Sequence, residues 1–373
     1  MNLAIFSPSQ NPYSETFIQA HKNYIKADKL YYIYGGSFQN MHVENERQLI
    51  KPKKQFLLKG IAKLSSKNYK DILENEAVKR LKALKLDVAL VEYGNHATKL
   101  LPVLKKANLP FVVHFHGHDA SVKTIIEKNN NYKDLFEAAN SVITVSTVMY
   151  NRLKDLGCPE NKLVYNVYGA NPIFGERTPR FSKKQALAIG RFVDKKAPYY
   201  TILAFQQVVK KHKDAKLLMA GQGVLQNMCK NLIRYLGLEH NVQLLDVITP
   251  KEVAQLMQES YCFVQHSITS ENGDQEGTPI AVLEAALSGL PVVSTYHAGI
   301  PDVIEHEKTG LLCDEHDVDK MAENLIRIFD DVNYAKQLGH NAREDHMVRF
   351  SLERHINSLE ETLRQAMQST VIG

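Results

Sequence analysis

The feature that most constrains this chain is its alternation of short apolar runs with amphipathic segments. "LAIFS" at 3–7, "LYYIY" at 30–34, "DVALVEYG" at 87–94, "FVVHFHG" at 111–117, "SVITVS" at 141–146 and "KLVYNV" at 162–167 are such runs. Continuous apolar runs of this length suit strands covered on both faces. Between them lie helical patterns such as "HATKLLPVLKKAN", which sets Leu100, Val103 and Leu104 on one face. Strand–helix alternation requires right-handed crossovers and therefore parallel sheets.

The pattern then restarts. After the turn-rich "YGANPIFGERTPRFSKK" come "QALAIGR" at 185–191, "AKLLMAGQG", "VQLLD", "YCFVQHS", "PVVST" and "GLLCD", again with helices between. The expectation is an α/β chain of two doubly wound, Rossmann-like domains, residues 1–170 and 171–345, facing across a cleft. A terminal helix over 346–373, apolar at Ile356, Leu359 and Leu363, packs on a neighbouring domain. A length of 373 residues with 44% apolar content suits two such cores. No run of eighteen apolar residues exists, so no membrane span is expected. "MNLAIFSPSQNPYSE" lacks a basic leader and reads as a first strand, not a signal peptide. Cys158, Cys229, Cys262 and Cys313 are too scattered for a zinc site or disulfide framework, which points to a reducing cytoplasm. The net charge of +5 admits anionic ligands or lipid without demanding nucleic acid.

In open parallel sheets ligands sit beyond the carboxyl ends of the strands, so the strand-to-helix loops should carry the chemistry. The first loop, "SPSQNPYSETF", has no glycine, which argues against a dinucleotide-binding turn. Its Ser14 and Glu15 begin a helix, with Ser14 as N-cap. "HFHGHDAS" holds His114, His116, His118 and Asp119; Gly117 breaks the strand that a shared metal would need, leaving His116 as a polar contact and Asp119 to orient it or cap the next helix. "GRFVDKKAP" offers Arg191, Lys195 and Lys196 to a diphosphate. "AGQGV" contributes Gly221 and Gly223, a weak signal alone.

The most specific stretch is "ENGDQEGTPIAVLEAALSGLPVVST". Thr278 is expected as N-cap and Pro279 as first helical residue, so the N–H groups after Gly277 form an anion site. Glu276 before that helix and Glu284 within it bracket the site. Glu284 would hold a ribose, the helix start a diphosphate, and Glu276 a transferred sugar. The bland alternative makes Glu276 a helix-dipole partner and Glu284 a surface residue. Val282, Leu283, Ala285 and Ala286 around Glu284 speak against it.

With these motifs the chain resembles the family-four retaining glycosyltransferases of the GT-B fold. The E-x7-E pair Glu276 and Glu284, the loop Ala298 to Pro301 with Gly299 and Ile300, Arg191 with Lys196, and His116 with Asp119 carry the resemblance. "SETF" and "ENGDQEG" look most like the subgroup that builds colanic acid and amylovoran. The resemblance implies a hexosyltransferase with a UDP- or GDP-sugar donor on the second domain and a glycan or lipid-linked acceptor on the first. It implies retention of configuration and neither metal nor cofactor. His116, Arg191, Lys196 and Glu276 would be catalytic. Gly221, Gly223, Gly277, Thr278, Pro279, Ile280, Glu284, Gly299 and Ile300 would bind the donor, and Ser14, Glu15 and Asp119 would lie on the acceptor side. The chain departs from the family where "SQNPYSE" replaces a Gly-Gly pair and where Asn171 stands for an aspartate. A nucleotide-sugar 2-epimerase of the same fold and a non-catalytic sugar-binding protein are the alternatives.

"KPKKQFLLKGIAKLSSKNYK" at 51–70 has seven lysines and no acid. Lys59, Lys63 and Lys67 are expected on one helical face and Leu57, Ile61 and Leu64 on another. Such a helix suits an anionic membrane surface or plain solvent equally.

Overall fold

A computed structural model describes residues 1–10, 15–46, 48–65 and 67–368. Its N-terminal sheet comprises β1 (Asn2–Ser7), β2 (Lys29–Tyr34), β3 (His42–Val43), β4 (Val88–Glu92), β5 (Phe111–His114), β6 (Ser141–Thr144) and β7 (Leu163–Tyr165). The strand order is 3-2-1-4-5-6-7, and β3 alone pairs antiparallel. The second sheet comprises β8 (Gln185–Ile189), β9 (Lys216–Ala220), β10 (Val242–Leu245), β11 (Cys262–Val264), β12 (Val292–Thr295) and β13 (Gly310–Cys313), in the order 10-9-8-11-12-13 with parallel pairing. Both are doubly wound sheets with helices between successive strands, except between β2 and β3. Each apolar run of the sequence supplies one strand, and β4, β5 and β12 are buried along their whole length. β3 was not expected, because two residues carry no periodicity.

Two compact units result. One contains Met1–Val145, Met149–Asn166 and the chain from Ile356; the other contains Ser146–Val148 and Val167–His355. The last helix, Leu352–Gln368, thus belongs from Ile356 onward to the N-terminal unit. Ile356, Leu359 and Leu363 are buried, and Glu360 accepts the Lys26 N–H at 2.8 Å. Residues 346–349 do not begin that helix; they end another, Val332–Arg349.

Several strands stop short of the apolar runs that announce them. β5 ends at His114, because the chain turns through Gly117 at φ +127°. His114, His116 and His118 therefore do not share a strand face. The basic segment folds as two helices, Pro52–Ser65 and Tyr69–Ala83. Lys67 lies past the first of them, so it does not extend the face of Lys59 and Lys63. No helix among the described residues is long and apolar enough to cross a membrane.

Candidate active site

In the C-terminal unit the loop after β8 meets the loop after β9. A Cβ on Gly221 would stand 2.1 Å from the Gly190 carbonyl oxygen, and one on Gly223 2.3 Å from that of Phe192. The two glycines let these loops touch as bare backbone, and Phe192 N–H donates to the Gln222 carbonyl at 3.0 Å. This close approach is a packing reason for both residues.

The loop after β8 continues through Arg191 into the short turn Asp194–Lys196. Its three cations have different surroundings. Lys195 is buried and donates to Asp274 Oδ1 and the Gln275 carbonyl, each at 3.1 Å, so it ties down the loop before the E-x7-E helix. Lys196 Nζ lies 3.3 Å from Glu276 Oε2 and 3.3 Å from Gln265 Oε1. Arg191 is exposed and has no ion pair among the described residues. Gly190, Arg191, Lys196, Thr201, Val264 and Gln265 line a concavity at this point.

Glu276 is the centre of the arrangement. Its side chain is 10% exposed, and burial alone would raise its carboxyl; Lys196, then Lys195 and His297, outweigh burial and hold it below the usual range. For Lys196 burial prevails over the attraction of Glu276 and lowers the ammonium from its ordinary value. Glu276 Oε1 is buried with no hydrogen-bond partner among the described residues, though Lys195 Nζ is 3.9 Å away. The backbone is fixed as firmly. Glu276 N–H donates to His297 Nε2 at 3.1 Å, so the His297 proton sits on Nδ1 and is donated to Glu315 Oε1 at 2.6 Å. Glu315 Oε2 in turn accepts the Thr269 N–H at 2.7 Å. His297 and Glu315 escaped the sequence reading; the only signal was a histidine two residues beyond the end of β12.

The helix after this loop is Ile280–Leu287, with Pro279 in the cap position and no side-chain cap. Thr278 and Pro279 thus stand one place earlier than expected, and Thr278 is buried. The first N–H groups of such a helix have no intrahelical acceptor and favour an anion. Gly277 accepts the Gly299 N–H at 3.0 Å, and a Cβ on Gly299 would stand 2.4 Å from Gly277 O and Thr278 Oγ1. Ile300 is wholly buried, a core residue, whereas Ile280 is half-buried. Glu284 is half-buried among Val282, Leu283, Ala285 and Ala286, and burial pushes its carboxyl up to about 8.

The comparisons with known proteins bear on the fold and the relatives of the chain. Residues 173–345 match the family model "Glycosyl transferases group 1". The chain is 31% identical to the amylovoran biosynthesis glycosyltransferase AmsK of Erwinia amylovora over 65% of its length and 61% of the relative's. It is 29% identical to the putative colanic acid biosynthesis glycosyltransferase WcaL of Escherichia coli, over 57% and 53% respectively. The crystal structure of Anabaena HepE in complex with UDP superposes with a TM-score of 0.76 at 17% identity, covering 98% of this chain and 100% of that one. Residues 173–345 are thus similar to the group 1 glycosyl transferases. The chain has the GT-B fold and is related to the colanic acid and amylovoran group of family four. The matches span little more than half the length of these two curated relatives.

The N-terminal unit departs from expectation at His116. Its imidazole is 3% exposed, stacked on Phe17 and edge-on to Tyr93 with ring centroids 4.5 Å away in each case. Nε2 lies 2.8 Å from Glu92 Oε2, while His21 Nδ1 lies 2.7 Å from Glu92 Oε1. Glu92 is wholly buried; burial would raise it, but His21 and His116 together hold it down at about 2. His21, Glu92 and His114 bring ligand-type atoms within 4.8 Å of one another. Both Glu92 oxygens already hold an imidazole, which accounts for the cluster without a cation. Glu92 and His114 are register partners on β4 and β5, so their side chains leave the same face. His118, by contrast, is exposed.

Asp119 is wholly buried. It accepts N–H groups of Gly94 at 2.7 Å, His116 at 3.0 Å and Gly117 at 3.2 Å, so its carboxylate clamps the loop. Ser14 lies outside the described residues. The helix it was expected to cap is Thr16–Tyr24 with Glu15 in the cap position; Glu15 makes no cap bond and accepts the Tyr93 hydroxyl at 2.8 Å.

Proposed function

We propose that the chain is a retaining, metal-independent glycosyltransferase that moves a sugar from a UDP- or GDP-linked donor to a glycan or lipid-linked oligosaccharide in polysaccharide biosynthesis. The observation that carries this reading is the Lys196–Glu276 pair before an uncapped helix, with Glu276 Oε1 buried and unpartnered. A cation and a helix N-terminus neutralise a diphosphate, and a fixed carboxylate with an unused oxygen accepts from a sugar hydroxyl. Arg191, exposed and unpaired, closes on the same diphosphate. Glu284, in its apolar setting, takes the ribose hydroxyls. HepE, which shares the fold, is described in complex with UDP and with UDP-glucose, and AmsK and WcaL are named for exopolysaccharide synthesis. Both support the donor class and the pathway type.

In the proposed reaction the bond from C1 to the phosphate oxygen breaks as the acceptor oxygen bonds to C1 on the same face. The departing phosphate oxygen takes the acceptor proton. No residue forms a covalent bond, and Lys196 and Arg191 offset the charge that grows on the leaving group. We further propose that the enzyme works at the cytoplasmic face of a membrane, where lipid-linked acceptors reside. A thermal-shift panel of UDP-, GDP- and ADP-sugars is expected to give stabilisation by one nucleotide class. NMR of donor with acceptor should then show an axial or equatorial product matching the donor's anomer. Stabilisation by none of the panel rejects the reading, and epimer formation from donor alone replaces it with the epimerase.

A further inference from the structure

The helix Pro52–Ser65 carries an apolar face that no described residue covers. Leu64 is 91% exposed, Phe56 81%, Leu57 55% and Ile61 42%. Leu58 is its buried residue, and the neighbouring helix Tyr69–Ala83 reaches it through Glu76, 4.0 Å from Lys54 Nζ. Phe56, Gly60 and Leu64 form one line at spacing four, and Leu57 and Ile61 lie beside it. A Cβ on Gly60 would meet no atom within 4 Å, which confirms that this line is open. Scattered exposed apolar residues are ordinary; four on fourteen residues are not. Lys53, Lys54, Lys59 and Lys63 lie on the same helix, Lys51 just precedes it, and Lys67 and Lys70 follow it, with no acid between 51 and 70.

We propose that this helix lies in the interface of an anionic bilayer, with Phe56, Leu57, Ile61 and Leu64 below the headgroups and the lysines against lipid phosphates. Charge complementarity selects this occupant. A second copy of the same helix would set its four lysines against four, whereas an anionic surface above an apolar layer satisfies both halves of the face at once. The proposal deepens the membrane part of the function proposed above. It replaces electrostatic adsorption by insertion, and so changes what salt should do. Coulombic attraction is screened at high ionic strength, but buried apolar area is not.

The sequence contains no tryptophan, so Phe56→Trp introduces a single reporter. With phosphatidylglycerol-containing vesicles its emission should shift to the blue, and lipids brominated along the acyl chain should quench it. Raising salt to about 0.5 M, where screening acts within several ångströms, should weaken binding by no more than about tenfold. Zwitterionic vesicles should bind more weakly, yet still shift the emission to the blue at higher lipid concentration. Phe56→Ser with Leu64→Ser should cut vesicle flotation of the full chain at least about tenfold, while thermal stabilisation by UDP- or GDP-sugar stays as in the parent. An unshifted emission on anionic vesicles, or complete release by salt, overturns insertion. A blue shift that grows with protein concentration without lipid overturns it in favour of a second copy. Because donor stabilisation is read separately, failure here leaves the transferase reading standing, and loss of donor stabilisation in the parent refutes that reading instead.

Discussion

Glu276→Gln should make nucleoside diphosphate bind more tightly while it slows transfer. The reason is the pair seen in the C-terminal unit. Lys196 Nζ stands 3.3 Å from Glu276 Oε2, with side chains 15% and 10% exposed. At that separation and an effective dielectric of about 20, the raw attraction is about 5 kcal/mol. Desolvation of both groups removes much of it, and Gln265 still contacts Lys196 after the change. A net stability loss of about 2 kcal/mol is therefore expected, below the roughly 3–5 kcal/mol of a fully buried broken pair. The freed ammonium then has no counter-charge until a diphosphate arrives. Affinity for UDP or GDP should rise roughly three- to thirtyfold, which corresponds to about 0.7–2 kcal/mol. Turnover should fall at least about a hundredfold, because in the proposed reaction this carboxylate meets the positive charge that develops at C1. Calorimetric titration with the diphosphate, melting curves with and without it, and steady-state kinetics give all three quantities. The diphosphate should raise the variant's melting temperature more than the parent's. A tenfold or larger loss of diphosphate affinity in Glu276→Gln would refute the reasoning and place the ligand the other way along the helix.

Glu284 is the complementary case. Burial holds its carboxyl at about 8, so it is mostly protonated at pH 7, and ribose hydroxyls favour the carboxylate. Diphosphate binding near pH 7 should release up to about one proton, and affinity should rise with pH until about 8. Titration in buffers of different ionisation enthalpy measures the release, and Glu284→Ala should abolish it and weaken binding roughly ten- to hundredfold, as for a lost charge-assisted hydrogen bond. Release that persists in the variant assigns the proton elsewhere. Glu92, held at about 2, lends stability that is fully present above its ordinary value of 4.5 and is lost as pH falls towards 2. Acid unfolding should show roughly 3 kcal/mol of pH dependence in that window that Glu92→Gln lacks; an identical acid profile would count against an ionised Glu92. Transfer should survive excess EDTA, and Arg191→Ala should cut kcat/KM at least about a hundredfold. Activity lost to EDTA and restored by Mg²⁺ or Mn²⁺ would contradict the first, and an unchanged kcat/KM in Arg191→Ala the second.

What the sequence disclosed follows from how each feature is encoded. Strands buried on both faces are written as runs of apolar residues, so twelve of them were legible. The two-residue β3 was not, because its place depends on pairing with β2 at Ile33 and Tyr34. The E-x7-E stretch was legible because a carboxylate among Val282, Leu283 and Ala285 conflicts with any role for those neighbours except burial. The contact between Lys196 and Glu276 was not. It requires β8 and β11 to be neighbours, and the chain between them passes through two other strands.

His116 shows the same boundary at a single residue. The glycine beside it and the strand before it were visible, and they suggested an imidazole open to ligand. Its partner Glu92 looked like the polar end of an apolar run, and only the Glu92–His114 register brings that carboxylate onto the face where His21 and His116 converge. A local pattern reports what a side chain is attached to, whereas a buried charge is decided by what arrives from other strands. Burial by itself pushes the Glu92 carboxyl up, and His21 and His116 pull it down. With them it is an ionised anchor that withdraws His116 from solvent, and the polar surface of this loop passes to the exposed His118.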